Sequence, residues 1–528
     1  MERTNMANNN SNIPTKIDNT VESQRRKVLV FPGPAGDSPG GTPVDKDFAI
    51  DEDDYLVIRE ILLGSGIEGD MEEARIETNV RWMVEIREDD DERRVCELGM
   101  PYTFNNFDEP VLSLPSSIGE LKYLTTLDLR GSLIAWLPPS IGLLQNLRDL
   151  DLSYMEDLFQ LPQEIGDLVS LNILDLEESS ITSLPPSIGR LRNLQYLNLS
   201  ETRKLSKLPE ELGNLASLNK LNLRGSTIAS LPASIGRLQT LDDLILADTK
   251  KMSKLPEEIG DLTGLTKLSL KLSSIASLPP SIGQLRNLND LNLSYTENLL
   301  ELPEEIGDLA SLTKLDLGGS SITSIPSSLK RLQNLGYLDL SEASEFQGPL
   351  TEIGHLTANL KVLDLSGLEL PSLPDAIGRL KGLMFLNLYG ISIPELKGNT
   401  LYEFLLMVAR SCPLLGLIEL KEGSLAAKEK ENLDFSVACN RSRRRTGFGA
   451  VDKNDSVGAE TTLAPELWPL FLSAATRAFD WNPNPYQSKS SSRSTPYTLP
   501  QQDAIYQFLV DGRELFLGVL YRRSQHEG

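Results

Sequence analysis

One phrase, L-P-x-x-I-G-x-L-x-x-L-x-x-L-x-L-x-x-S, recurs down the chain and limits it to a repetitive fold. Its first apolar residue falls at Leu114, Leu137, Leu161, Leu184, Leu208, Leu231, Leu255, Leu278, Leu302 and Ile325, with spacings that alternate between 23 and 24 residues. The unit is therefore a 47-residue pair of unequal turns. The pattern weakens through Pro349 and Leu373. Within each turn, L-x-x-L-x-L alternates apolar and polar residues, the period of a strand with one buried face. Leu124, Leu127 and Leu129 form one such set, and Leu288, Leu291 and Leu293 another. No single turn can bury that face, whereas stacked turns share one aliphatic spine. The expected fold is an α/β solenoid, a horseshoe with a parallel concave sheet of about 14 short strands and short helical or 3₁₀ segments on the convex side. Pro opens each convex segment, where its missing N–H costs nothing. The glycine after the isoleucine is expected to take a left-handed exit.

Three residues past the strand most turns carry a hydroxyl: Ser132, Ser179, Thr202, Ser226, Thr249, Ser273, Thr296 and Ser320. These are expected to be buried and to bridge backbone groups of adjacent turns. Val95, Leu98 and Met100 match the strand pattern loosely and read as a capping strand over 95–100. The helically spaced NTLYEFLLMVARSC (399–412), followed by Leu415, Ile418 and Leu420, reads as the opposite cap. The repeat domain thus spans 95–420. Before it lie an Asn-, Ser-, Pro- and Gly-rich tail (1–45), expected to be disordered, and an acidic flank (46–94) with an expected helix over 71–87. After it come a polar linker (421–463) and a helical region (464–528) with a Ser-rich break around Ser488–Ser494.

These phrases, LPPSIGRLRNLQYLNLS and LPEEIGDLTGLTKLSL above all, resemble the plant intracellular Ras-group-related leucine-rich-repeat proteins. They are also similar to the repeat portions of plant immune receptors and Ras-pathway scaffolds. The phrases LWPLFL and DAIYQFL in the tail are similar to tails on diatom leucine-rich-repeat families. The first resemblance covers roughly 95–420 and implies a non-enzymatic signalling adaptor.

The net charge of -24 opposes binding to nucleic acid or anionic lipid. Residues 45–92 carry 18 acidic against 5 basic side chains, so much of that charge belongs to the flank. No apolar run is long enough to span a membrane. The opening residues have no apolar signal core, and Cys96, Cys412 and Cys439 suggest no disulfide framework. The sequence therefore predicts a cytoplasmic chain. Little in it points to catalysis. Gly64-Ser65-Gly66-Ile67-Glu68-Gly69 matches G-x-G-x-x-G, but the repeats begin too soon after it for a nucleotide-binding unit. The two histidines, His355 and His526, have no metal-ligand company in sequence. Glu210-Glu211, Glu257-Glu258 and Glu304-Glu305 recur at 47 residues on a first helical turn, where negative charge suits the helix dipole. A thiol enzyme using Cys439 beside Arg441 and Arg443–Arg445 is the enzymatic alternative, and a solvated linker is preferred. No cofactor or metal is predicted.

Side chains between and beside the strand leucines face the concave side. A protein-binding site is expected there, formed by Tyr196, Asn198, Lys220, Asn222, Arg224, Lys267, Lys271, Asp290, Asn292, Tyr337, Asp339, Phe385, Asn387 and Tyr389. A small GTPase, or a kinase or phosphatase subunit, is the expected partner. A ligand-sensing or defence receptor component acting with a separate nucleotide-binding protein is the alternative. Trp136 either anchors a partner or packs beneath the acidic flank, and packing is the preferred reading.

Overall fold

The computed structural model describes residues 27–30, 52–64, 83–89, 92–99, 114–356, 359–370, 372, 374–393, 398–415 and 417–419. Among the described residues sixteen strands form one sheet in sequence order. They are β1 (Lys27–Val30), β2 (Met83–Asp89), β3 (Glu92–Gly99), β4 (Thr126–Asp128), β5 (Asp149–Asp151), β6 (Ile173–Asp175), β7 (Tyr196–Asn198) and β8 (Lys220–Asn222). Then follow β9 (Asp243–Ile245), β10 (Lys267–Ser269), β11 (Asp290–Asn292), β12 (Lys314–Asp316), β13 (Tyr337–Asp339), β14 (Val362–Asp364), β15 (Phe385–Asn387) and β16 (Leu417–Glu419). From β3 to β16 every pairing is parallel and in register, leucine beside leucine (Leu197 with Leu221, Leu315 with Leu338) up to the last, where Leu386 meets Ile418. The parallel solenoid sheet is the expected one.

Most strands of the parallel stack are followed by a turn and then a five-residue 3₁₀ segment such as Pro186–Arg190 or Glu257–Asp261, entered from an extended proline. The spine leucines are sealed: Leu124, Leu127 and Leu129 have no exposed surface, and their counterparts down the stack are at most 1% exposed. Truncating one such leucine to alanine costs about 2–5 kcal/mol.

Both ends of this core are covered. A helix at Glu52–Gly64 lays Val57, Ile58 and Ile61 against the first turn. Its buried Asp54 accepts a 2.8 Å hydrogen bond from the Val95 N–H. At the other end the helix Gly398–Ser411 buries Leu401, Phe404, Leu405 and Val408. Cys96 and Cys412 are buried free thiols, and burial pushes Cys412 up to about 11.

Several expectations change. The helix of the acidic flank lies at 52–64, and Met83–Arg87, which the helical reading included, is strand. Val84 and Ile86 alternate with polar residues, and β2 pairs antiparallel with β3, closing an edge that would otherwise be open. Within the tail expected to be disordered, Lys27–Val30 forms β1 against β2. Trp136 does not pack beneath the flank, being 58% exposed.

The glycine after the isoleucine is not left-handed. A Cβ on Gly166 or Gly213 would stand 2.3 Å from the carbonyl oxygen of Ser187 or Ser234 in the next turn, so close nesting of turns excludes a side chain. The left-handed residue lies elsewhere, in the third position after the strand. It is Gly131, Gly225, Gly319, Gly367 and Gly390 in five turns, but Tyr154, Glu178, Glu201, Asp248, Leu272, Tyr295 and Glu342 in seven. The linker 421–463, Cys439 and the helical region 464–528 lie outside the described residues.

Candidate functional site: the concave face

The hydroxyl row is buried, but it does not join turns. Ser179, Thr202, Thr249, Thr296 and Ser320 each donate to the carbonyl three residues back in their own turn, at 2.6–2.8 Å. Ser132, Ser226 and Ser273 have no hydrogen-bond partner for the hydroxyl. Joining falls to a row that sequence reading missed. Asn146, Asn193, Asn287 and Asn334 each donate 2.8 Å to the carbonyl 24 residues earlier, and Thr240 donates 3.0 Å. Their 47-residue recurrence was the available signal.

Three columns of side chains run along the concave face. The middle column includes Asn198, Asn222, Asn292, Asp339 and Asn387 among the expected binding residues. Each turns its Oδ1 to the backbone N–H two residues on, at 2.8–3.1 Å. These groups close the strand end as an Asx turn does. Amides also link along the column: Asn198 donates to Asp175 at 3.0 Å, Asn222 to Asn198 at 3.0 Å, and Asn387 to Asp364 at 3.0 Å. The column therefore has local backbone work, whatever it meets from outside.

The column before it alternates in sign. Tyr196, Lys220, Asp243, Lys267, Asp290, Lys314 and Tyr337 occupy consecutive strands, each step about 4.8 Å. Lys220 lies 5.4 Å from the Tyr196 ring centre and 3.5 Å from Asp243. Lys314 lies 5.8 Å from the Tyr337 ring and 3.3 Å from Asp290. The two aspartates are thus drawn outward. Lys267, between them, is exposed and makes no ion pair among the described residues. In the third column Arg224 and Tyr389 are exposed, and Lys271 lies 5.7 Å from the Tyr295 ring.

The two ends differ. On β4–β6, Asp128, Asp149, Asp151 and Asp175 gather around Arg130, which contacts Asp128 at 2.5 Å and Asp151 at 3.5 Å, and Glu177 lies beside Asp175. Burial first, then the neighbouring carboxylates, raises Asp149, while burial leads the rise of Asp175 and Glu177. On β13–β15, Tyr337, Val362 and Phe385 are buried together, and Tyr337 donates 3.0 Å to the buried Asp339. Two aromatics expected to stand open as anchors are thus covered. Among the described residues no group of His, Cys, Asp and Glu is arranged to hold a metal, and no helix is long and apolar enough to cross a membrane.

Stacked turns of this spacing, one strand and one 3₁₀ segment each, define a leucine-rich-repeat solenoid, and the chain is a leucine-rich-repeat protein. Residues 187–252 match the family model described as a leucine-rich repeat region. A leucine-rich-repeat protein of Leptospira interrogans is 32% identical over 59% of this chain and 82% of its own, with a TM-score of 0.46. The internalin InlF of Listeria monocytogenes is 21% identical over 65% of this chain and 91% of its own, TM-score 0.46. The Drosophila Toll–Spätzle structure is 20% identical over 58% of this chain, which spans under half of that one (45%), TM-score 0.47. No curated protein matches the chain in sequence.

Proposed function

We propose that this protein is a non-enzymatic, cytoplasmic scaffold that holds another protein on its concave face. The observation that carries the reading is the alternating column on β7–β12. It presents cation and carboxylate at a fixed step with an exposed Lys267 at its centre that makes no ion pair among the described residues. Rigid alternation of this kind suits a charged protein surface, where it sets register and suppresses wrong partners more than it adds raw affinity. Tyr196 at one end and the exposed Arg224 beside it are of the types that dominate interface energetics. A small GTPase, or a kinase or phosphatase subunit, is the partner class proposed, in line with the resemblance to Ras-group-related repeat proteins.

The test is affinity purification with wild type beside a Tyr196→Ala/Lys220→Ala/Arg224→Ala/Lys267→Ala variant. All four side chains reach solvent, so the variant keeps its core. Loss of one or more co-purifying proteins is expected. An unchanged partner set at equal recovery overturns the reading.

A further inference from the structure

The middle column of the concave face repeats one task, and two adjacent strands abandon it. On ten of the twelve strands from β4 to β15, its Asn or Asp turns Oδ1 to the backbone N–H two residues on, at 2.8–3.2 Å. The exceptions are neighbours, β9 and β10, which carry Ile245 and Ser269 in that place. Ile245 has no oxygen to offer, and the Ser269 hydroxyl makes no hydrogen bond among the described residues. The N–H groups of Ala247 and Lys271 therefore meet no acceptor among the described residues.

The backbone around them is held as in the other turns. The N–H groups on either side of Ala247 bond the Ser269 and Lys271 carbonyls at 2.8 and 2.7 Å. Those on either side of Lys271 bond the Asn292 and Ser294 carbonyls at 2.8 and 2.9 Å. In ten turns a concave side chain reaches this N–H, so on β9 and β10 the same N–H opens to the concave side. The two donors stand one strand apart, about 4.8 Å. Successive backbone N–H groups fixed in this way form an anion-binding concavity.

Positive charge gathers at the same place. In the three concave columns of β8–β12, five cations (Lys220, Arg224, Lys267, Lys271 and Lys314) face three carboxylates, Asp243, Asp290 and Asp316. Lys220 holds Asp243 at 3.5 Å, Lys314 holds Asp290 at 3.3 Å, and Asp316 accepts the Gly318 N–H of its own turn at 3.2 Å. At the edge of the face, Glu201 and Asp248 are paired with Arg203 at 3.3 Å and Lys250 at 3.0 Å. Arg224 and Lys271 flank Ala247 in the third column, and Lys267 lies on the same strand as Ser269. None of these three makes an ion pair among the described residues, although Lys271 lies near the Tyr295 ring. The local excess of about two positive charges matches a phosphate monoester, which carries about -2 at neutral pH. A carboxylate brings one charge and two oxygens, and fits less well.

We infer that the Ala247 and Lys271 N–H groups, with the Ser269 hydroxyl, bind the phosphate of a phosphorylated serine or threonine on the partner protein. The inference rests on the concave-face reading above. Phosphate oxygens take the place that Oδ1 holds on the other strands, and Arg224, Lys267 and Lys271 add charge-assisted hydrogen bonds. The chain's net charge of -24 repels polyanions, so the phosphate is a single one set in a peptide. Phosphorylation of the partner is then the condition for docking at the centre of the face.

The test fills the site with the protein's own oxygens. I245N/S269N gives β9 and β10 the residue type that closes neighbouring turns, so the fold is retained. The full chain is passed over an immobilised degenerate peptide library with a fixed central phosphoserine, beside libraries with serine or glutamate at that position. Wild type should be retained at least tenfold more by phosphoserine than by serine, and I245N/S269N should fall to the serine level with its melting temperature undiminished. R224Q/K267Q, altered at two exposed side chains, should lose at least threefold and keeps the test open if the first variant fails to fold. Equal retention of wild type and either folded variant, no preference for phosphoserine, or equal retention by glutamate overturns the inference. If the quadruple alanine variant loses its co-purifying proteins while I245N/S269N keeps them, the concave-face reading stands and the phosphate assignment alone falls.

Discussion

The two ends of the concave face share one backbone and one leucine register, yet they differ in how their side chains meet water. On β4–β6 carboxylates crowd together and remain partly solvated around Arg130. On β13–β15 an aromatic and aliphatic trio is sealed over buried aspartates. A repeat scaffold thus sets where a side chain stands, while what lies over it sets what that side chain costs.

The sharpest break of this comparison is a pair of truncations. Phe385→Ala at the closed end should cost about 3–5 kcal/mol, because a packed aromatic leaves a cavity. Tyr196→Ala, its half-buried counterpart on β7, should cost about 1 kcal/mol or less. Chemical denaturation of both variants measures the difference, and equal costs would show that the closed end is not packed. Next comes Asp339→Ala. It removes the acceptor that the Ser341 N–H and the Tyr337 hydroxyl meet at 2.8 and 3.0 Å in a buried site. A loss of about 1–3 kcal/mol is expected by the same measurement.

A smaller contrast lies along the left-handed row. Leu272 takes φ 59° beside the open region, where Gly367 and Gly390 take 70° and 69° at the closed end. Leu272→Gly should stabilise by about 0.5 kcal/mol, the relief of a left-handed leucine less the entropy glycine adds to the unfolded chain. A lower melting temperature would contradict it. The smallest effect concerns pH. The folded-state carboxyl of Asp149 binds its proton more tightly than the ordinary value of 3.8. Its contribution to stability is therefore greatest below that value and falls away as pH rises through the raised one. Asp149→Asn should raise stability at pH 7 by a few tenths of a kcal/mol, after allowance for solvent screening. The gain should vanish near pH 3, and melting curves at the two pH values decide it.

Much of this was legible in the residues. The 23/24 spacing placed the strands, and alternation put Tyr196, Lys220 and Lys267 on the concave side, because both depend only on the period of the chain. The hydrogen bonding of the hydroxyl row was not legible, since Ser179 and Asn193 are both short polar residues and only their acceptors tell them apart. Nor was the closed end. Tyr337 and Tyr196 hold the same column position, and nothing in the local pattern distinguishes a ring under cover from one in water. The hairpin strand Met83–Asp89 was obscured by its charges, which fit an acidic helix face as readily as a strand pairing with β3.

The glycines of the convex side help to set the curvature of the whole stack. At Gly166, Gly213 and Gly307 the backbone of one turn rests against a serine carbonyl of the next, leaving no room for even a methyl group. An added carbon there would act as a wedge on the outer arc, prising the convex edges apart while the hydrogen-bonded strands hold the inner spacing. The horseshoe would close more tightly around its contents. The radius of the concave face is thus written on the opposite, convex surface.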